Sequence, residues 1–485
     1  MGIIVNQSFK NMVTTYIGFG IGAINTLFLF TYFLEKEYYG LVSYLLSASN
    51  LIWPFLVFGV HSTLIKFFTS YKTRADQDKL LNLVLILPAI VSLILGLIGL
   101  WTYDYLLDYF AGENELVQPY IWIIFLVALA TAYFELFFSW SKIYYKSVFG
   151  NLMKEVFHRL CISLLLVGVF LKWVSVENFI YGMAGVYMFR TLIMAAYAFS
   201  LHPPALNLKL PNNLSPVLKY SALILLAASV ATVLLDLDKV MIEYYLPIEN
   251  VAIYGIAVYI ATVISVPQKA MHQITNPLTA EMLNNRDKEG LKDIYQKSSL
   301  NLLIISGLIF IWIITNVNDL YKLMPEEYGI SIFVVLLISL VKLFDNLLGN
   351  NNSIIFNSDY YRIVLGIGVI LVILAFIFNL IFIPVFGIDG AALASFLAFV
   401  MYNSSKLFIV FKKFKIHPFT EYTGWTLAIT AVFCLIFYFW EFPFHPLLSI
   451  ILKGSISGLI YIYLIYHFKF SPEINQILNK YLKRS

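Results

Sequence analysis

Several ionisable residues lie inside long apolar runs, where an isolated charge costs several kcal/mol and is retained for a purpose. Arg190 is the deepest, near the middle of the run 177–199. A guanidinium there can grip a phosphate or carboxylate through two parallel bonds. It can equally be the structural partner of Glu135, in the inner half of the run 120–140. Glu135 reads as that partner or as the carrier of a coupling proton. Lys342 and Asp345 are three apart and share one helix face, as a mutually neutral pair or as ligands of substrate and ion. Lys269 either snorkels to the surface or lines a cavity. Asp236, with Asp238 and Lys239, forms a solvated cap or an ion site at the outer end of the run 217–238. Asn25 and Asn50 can line a wet cavity or bridge helices. Pro54, beside Trp53, and Pro267 each remove a backbone bond and are expected to bend their helices.

These residue types bind and exchange ions; they do not assemble a known bond-breaking site. No Gly-Lys pair exists, so there is no phosphate-cradling loop for ATP. No His is followed by Glu, and Cys161 and Cys434 lie in apolar stretches as small hydrophobes. No metal, cofactor, nucleic-acid partner or enzymatic step is expected. Energy would come from an ion gradient or from the substrate's own gradient.

The elements that hold these residues follow from composition. Of 485 residues, 60% are hydrophobic and 12% charged, with mean hydropathy +0.81. Too few polar residues exist to coat a water-facing surface. Apolar runs fall at 13–34, 41–60, 80–103, 120–140, 153–172, 177–199, 217–238, 251–271, 298–316, 330–349, 362–383, 387–411, 423–440 and 447–467. They predict an all-α polytopic membrane protein with about fourteen spans, most close to the roughly 20 residues that cross the hydrocarbon. The first run reads as a retained helix, since no small-residue cleavage site precedes it. With the N-terminus inside, 26 of the 32 basic residues fall on the cytoplasmic side. The acidic outer loop Asp104, Asp108, Glu113 and Glu115 has no lysine or arginine. Both termini are therefore expected in the cytoplasm. Residues 284–290 are polar and predict a short amphipathic surface helix within 272–297.

A repeat is visible. Tyr39-Gly40 opens span two and Tyr254-Gly255 opens span eight, 215 positions later. Tyr181-Gly182 opens span six, and Gly387-Ile388-Asp389-Gly390 stands at the matching place about 205 further on. Spans one to six and seven to twelve read as two pseudo-symmetric six-helix bundles with two added C-terminal helices. The corresponding ranges are 1–199, a cytoplasmic linker 200–216, then 217–411, and 412–485.

Three stretches carry a family resemblance: Glu37-Tyr38-Tyr39-Gly40 through Phe67-Phe68; Leu235 through Ile242; and Asn379 through Ala394. The third, with Ile383-Pro384, Gly387 and Gly390-Ala391-Ala392, resembles the pattern of bacterial polysaccharide-biosynthesis membrane proteins. Over nearly its whole length the chain resembles the multidrug/oligosaccharidyl-lipid/polysaccharide exporter superfamily. The resemblance implies a flippase of the O-antigen repeat-unit kind in the cell inner membrane, moving a lipid-linked oligosaccharide by alternating access. It also implies membrane lipids, a polymerase and chain-length machinery as partners. A drug/cation antiporter is the alternative, disfavoured because spans one to three have no acidic residue in their interiors. A membrane glycosyltransferase using Asp236-Leu237-Asp238 is a remoter one, since no outer connection exceeds about 20 residues.

Overall fold

The computed structural model describes residues 2–105, 114–204, 209–329 and 331–482. Asp108 and Glu113 of the acidic loop, residues 205–208 of the linker, and Lys483 and Arg484 lie outside the described residues. Every regular element among those described is helical. Ten helices are long and apolar enough to cross a membrane. Span five is divided by a π turn into Ser147–Leu152 and His158–Phe170, span seven is Leu214–Tyr245, and span ten is Ile332–Leu347. Spans eleven and twelve share the single helical segment Tyr361–Phe414. Together these account for the fourteen spans expected.

That shared segment is a hairpin. A straight helix of 54 residues would be about 80 Å long. Yet the rings of Tyr360 and Phe414, at its two ends, have centroids 5.8 Å apart. Val364 likewise packs beside Ile409 and Val410. The chain reverses at Gly387, whose φ of 59° and ψ of −136° lie where residues with a Cβ rarely go. The reversal brings Gly390 against the backbone of Phe382, and an added Cβ would lie 2.1 Å from the Phe382 carbonyl oxygen.

Two compact units divide the chain, Met1–Gly255 and Ile256–Ser485. In the first, span four (Ile121–Ile143) is the hub. Ala128, Ala132, Phe134, Leu136 and Trp140 are fully enclosed, packed with Leu56, Val60 and Leu64 on one side and Met194 and Ala198 on another. Span seven belongs to this unit because its polar atoms meet span two. The hydroxyls of Thr63 and Ser221 are 2.7 Å apart, and Gly59 lies so close to Ser221 that a Cβ would fall 2.2 Å from its carbonyl oxygen. The helix Lys36–Val57 runs on through Pro54 and breaks at Phe58 and Gly59, both left-handed. Pro267 stands in the first turn of Val266–Asn284, directly after a tightened turn over Val263–Ser265.

In the second unit the last two spans, Glu421–Tyr438 and Pro446–His467, pack on span nine, Lys288–Tyr321. Trp312 Nε1 donates to the Gly454 carbonyl at 2.8 Å. Lys453 reaches Asp319 at 2.9 Å, and Ser449 donates to the same carboxylate at 2.7 Å. All three side chains are buried. Losing one partner of such a pair strands the other charge, at about 3–5 kcal/mol. Asp319→Ala is expected to lower the unfolding temperature of the detergent-purified protein sharply, with Lys453→Met in addition restoring most of it. An unchanged melt for Asp319→Ala would show that the pair does not hold these spans.

The expected surface helix within 272–297 is not a separate element. Val266–Asn284 continues through the first half of that range, the chain turns at Asn285–Asp287, and Lys288–Tyr321 begins at once. Asp287 caps the second helix, accepting from the Gly290 amide at 2.9 Å. The polar run 284–290 is thus a helix-stop and helix-start signal. A short helix with a polar face occurs instead at Pro472–Leu482, tied down by Ser471 to Asn301 at 2.6 Å.

Candidate functional site

Arg190 is 4% exposed inside the first unit. Span six (Val176–Leu201) carries it to span four, and its guanidinium stacks over Phe134 at 4.1 Å and Tyr187 at 4.7 Å. Among the described residues no carboxylate lies within ion-pairing distance of it, and its Nε has no hydrogen-bond partner. Glu135 is taken by Lys154 of the π turn in span five, at 2.5 Å. The alternative in which Glu135 neutralises Arg190 is therefore not the arrangement adopted. Arg159, one turn further along span five, pairs with Glu155 at 3.4 Å. His158 and Arg159 are near enough to Arg190 and Tyr187 to interact electrostatically. Lys142, Lys154, Arg159 and Arg190 interact with Glu135 and Glu155, and Asp236 acts on Tyr187 from span seven, so four cations stand against three carboxylates.

Both candidate asparagines bridge helices. Asn25 donates to the Arg159 carbonyl at 3.0 Å and accepts from Ser163 at 2.6 Å, joining span one to span five. Asn50 donates to Asp236 at 3.2 Å, so two candidates meet across spans two and seven. Asp236 also lies 3.9 Å from Lys239. Asp238 is 4% exposed and accepts from the Tyr254 hydroxyl. The solvated-cap reading gives way here, because span seven extends to Tyr245 and carries both aspartates into the unit.

In the second unit Asp345 is not neutralised by Lys342. It accepts from Gln268 at 2.9 Å and pairs with Lys406 at 3.5 Å. Lys406 is 3% exposed and also donates to Asn352 at 3.0 Å. Lys342 lies 5.5 Å from the Phe399 ring centroid, and no carboxylate among the described residues is within ion-pairing distance of it. Lys269 is exposed, within electrostatic range of Lys342. Glu135 and Asp345 stand 210 positions apart on corresponding spans, four and ten, and each interacts with a histidine, His61 or His272.

The model of one protein family, described as polysaccharide biosynthesis protein, matches residues 4–282. The chain belongs to the polysaccharide biosynthesis protein family. Its fold is shared with solved transporters of the MOP superfamily. The lipid II flippase MurJ in an inward closed conformation aligns with TM-score 0.72 at 14% identity, over 95% of this chain and 99% of that one. A MOP superfamily transporter from Pyrococcus furiosus aligns with TM-score 0.61 at 13% identity, over 85% and 95%. A multidrug resistance MATE transporter, inward-facing, gives 0.59 at 14%, over 86% and 95%. No curated protein sequence matches significantly.

In this polysaccharide biosynthesis protein, sequence reasoning missed Lys154, Arg159 and Lys406. All three had been assigned to the cytoplasmic face by the charge bias. Separation in sequence hides two of the pairings, Lys154 with Glu135 and Lys406 with Asp345. The one signal available was that Arg159 and Lys406 stand a turn or more inside an apolar run rather than in a loop; Lys154, at the edge of its run, had none.

Proposed function

We propose that the chain is a flippase that carries a polyprenyl-pyrophosphate-linked oligosaccharide across the cell inner membrane for surface polysaccharide synthesis, without covalent chemistry. The observation that supports it best is Arg190: an interior guanidinium with no carboxylate within ion-pairing distance among the described residues, in a group of charges with a positive excess. Such a group meets a phosphate bidentately and is poorly suited to a cationic drug. The family membership supports the same reading, as does the likeness to MurJ, which is itself a lipid II flippase. The termini would lie in the cytoplasm, and a polymerase and chain-length machinery would receive the product. Transport would proceed by alternating access, with span seven moving with the first unit, Met1–Gly255. Glu135 and Asp345 are the candidate coupling groups. A coupling ion would compete at them with Lys154 and Lys406.

The test is reconstitution of the purified protein in proteoliposomes with a fluorescent polyprenyl-pyrophosphate oligosaccharide on one leaflet. The expected result is protein-dependent movement of label to the other leaflet. Transport of a hydrophobic cation such as ethidium, with no movement of the lipid-linked sugar, would overturn the proposal in favour of an antiporter.

A further inference from the structure

The second unit contains a cluster that the positioning of Arg190 does not use. Lys342 of span ten and Lys406 of span twelve both act on Asp345, the only carboxylate among the described residues engaged there. Asp345 is already occupied by Gln268 and Lys406. Lys342 faces the Phe399 ring instead of a counter-ion. Phe399, Asn403 and Lys406 fall at spacings of four and three, so they share a face of span twelve. Asn403 is 1% exposed, and neither its amide nitrogen nor its amide oxygen has a hydrogen-bond partner. His272, which interacts with Asp345 and Lys406, also has a buried Nδ1 without a partner.

A buried cation without a counter-charge and a buried amide without a bond each cost free energy. Both deficits are removed together if an anion enters that can accept from a lysine and from an amide N–H. A cation could meet the Asn403 amide oxygen but would be repelled by the two lysines that act on the one carboxylate. We infer that the second unit holds its own oxyanion site, formed by Lys342, Lys406, Asn403 and His272, which takes one phosphoryl or carboxylate group. The choice of ligand class rests on the flippase reading, but the site is complete within the second unit and does not involve Arg190. The group has two sources of the same chemistry: the transported lipid-linked sugar, or the headgroup of an anionic lipid.

The experiment uses the full-length protein in phosphatidylcholine nanodiscs, titrated calorimetrically with inorganic pyrophosphate. The wild type is expected to bind at two sites. Lys342→Met is expected to weaken one of them about 30-fold and leave the other unchanged, the loss usual for truncating one partner of a buried charge-assisted contact. Lys342→Arg should retain both, and Arg190→Ala should remove the other site. Asn403→Leu, which keeps volume and charge while removing the amide, gives a second variant should Lys342→Met not purify as a single species. Loss of one pyrophosphate site on changing to phosphatidylglycerol nanodiscs assigns the site to a lipid headgroup. Two sites in both lipids assign it to the transported ligand. A wild type with a single site, abolished by Arg190→Ala and untouched by Lys342→Met and Asn403→Leu, would overturn the inference while leaving the flippase reading intact. The converse result, with the Arg190 arm silent and the Lys342 arm responsive, would overturn the role of Arg190 alone.

Discussion

Arg190→Ala is expected to slow translocation of lipid-linked oligosaccharide in proteoliposomes at least ~100-fold, with the protein still inserted and monodisperse. The size follows from what is lost. Truncating one side of a buried charge-assisted contact costs about 2–5 kcal/mol, and a hundredfold corresponds to about 2.8 kcal/mol. The survival of the fold follows from the surroundings. Glu135 keeps Lys154 at 2.5 Å whether or not Arg190 is present, so the substitution strands no carboxylate. What the fold loses is the stacking on Phe134 and Tyr187, about 1–2 kcal/mol. Arg190→Lys separates charge from geometry. It keeps the cation but replaces the planar fork with a point donor, and should fall between wild type and alanine. Wild-type flux in Arg190→Ala would remove the central support for the site.

The contrasting variant is Glu135→Gln. If Arg190 were structural, loss of Glu135 would disturb it. In the arrangement adopted, Glu135→Gln frees Lys154, adding a second unpaired cation beside Arg190 rather than unpairing the first. Glu135→Gln and Arg190→Ala are therefore expected to give distinguishable defects in the proteoliposome assay.

Depth in the membrane is legible from hydropathy, and position around the helix axis is not. Arg190 was identifiable because it stands mid-run, and depth alone made it conspicuous. Lys406 lies near the end of the run 387–411, a depth at which a lysine ordinarily snorkels to water. Only the packing of span twelve on span ten turns it inward to Asp345. The pairings Lys342–Asp345 and Arg190–Glu135 were plausible for proximity and failed for the same reason. A three-residue offset puts two side chains on one face, but another helix can offer a better partner. Span seven shows a further limit. Asp236 and Asp238 lowered its apparent hydropathy and ended the predicted run at 238. Asn50 and Tyr254 supply the bonds that let the helix keep both carboxylates inside.

The hairpin of spans eleven and twelve carries the prediction with the largest effect on folding. Gly390→Val is expected to reduce recovered monodisperse protein below about a tenth of wild type. The cause is backbone, not side chain. A Cβ at 390 would sit 2.1 Å from the Phe382 carbonyl oxygen and 2.5 Å from its carbon, contacts that side-chain rotation cannot relieve. Opening the hairpin to make room would pull Val364 from Ile409 and Val410, and each buried aliphatic side chain so exposed to a new environment forfeits close-packed contacts. Gly387→Ala acts on the same turn by a different route. Its φ of 59° and ψ of −136° strain any residue with a Cβ, at about 1–3 kcal/mol, so its defect should be milder and partly rescued at low temperature. Gly366, in the same helical segment, is the control. A Cβ there meets nothing within 4 Å, and Gly366→Val should express like wild type. Equal recovery of Gly390→Val and Gly366→Val, read by fluorescence-detected gel filtration, would mean that the reversal at Gly387 is not the turn the chain uses. A deficit confined to Gly390 and Gly387 would explain in steric terms why the stretch Ile383-Pro384 to Ala392 has glycine at those two places. One glycine turns the chain, and the other lets the returning helix touch it.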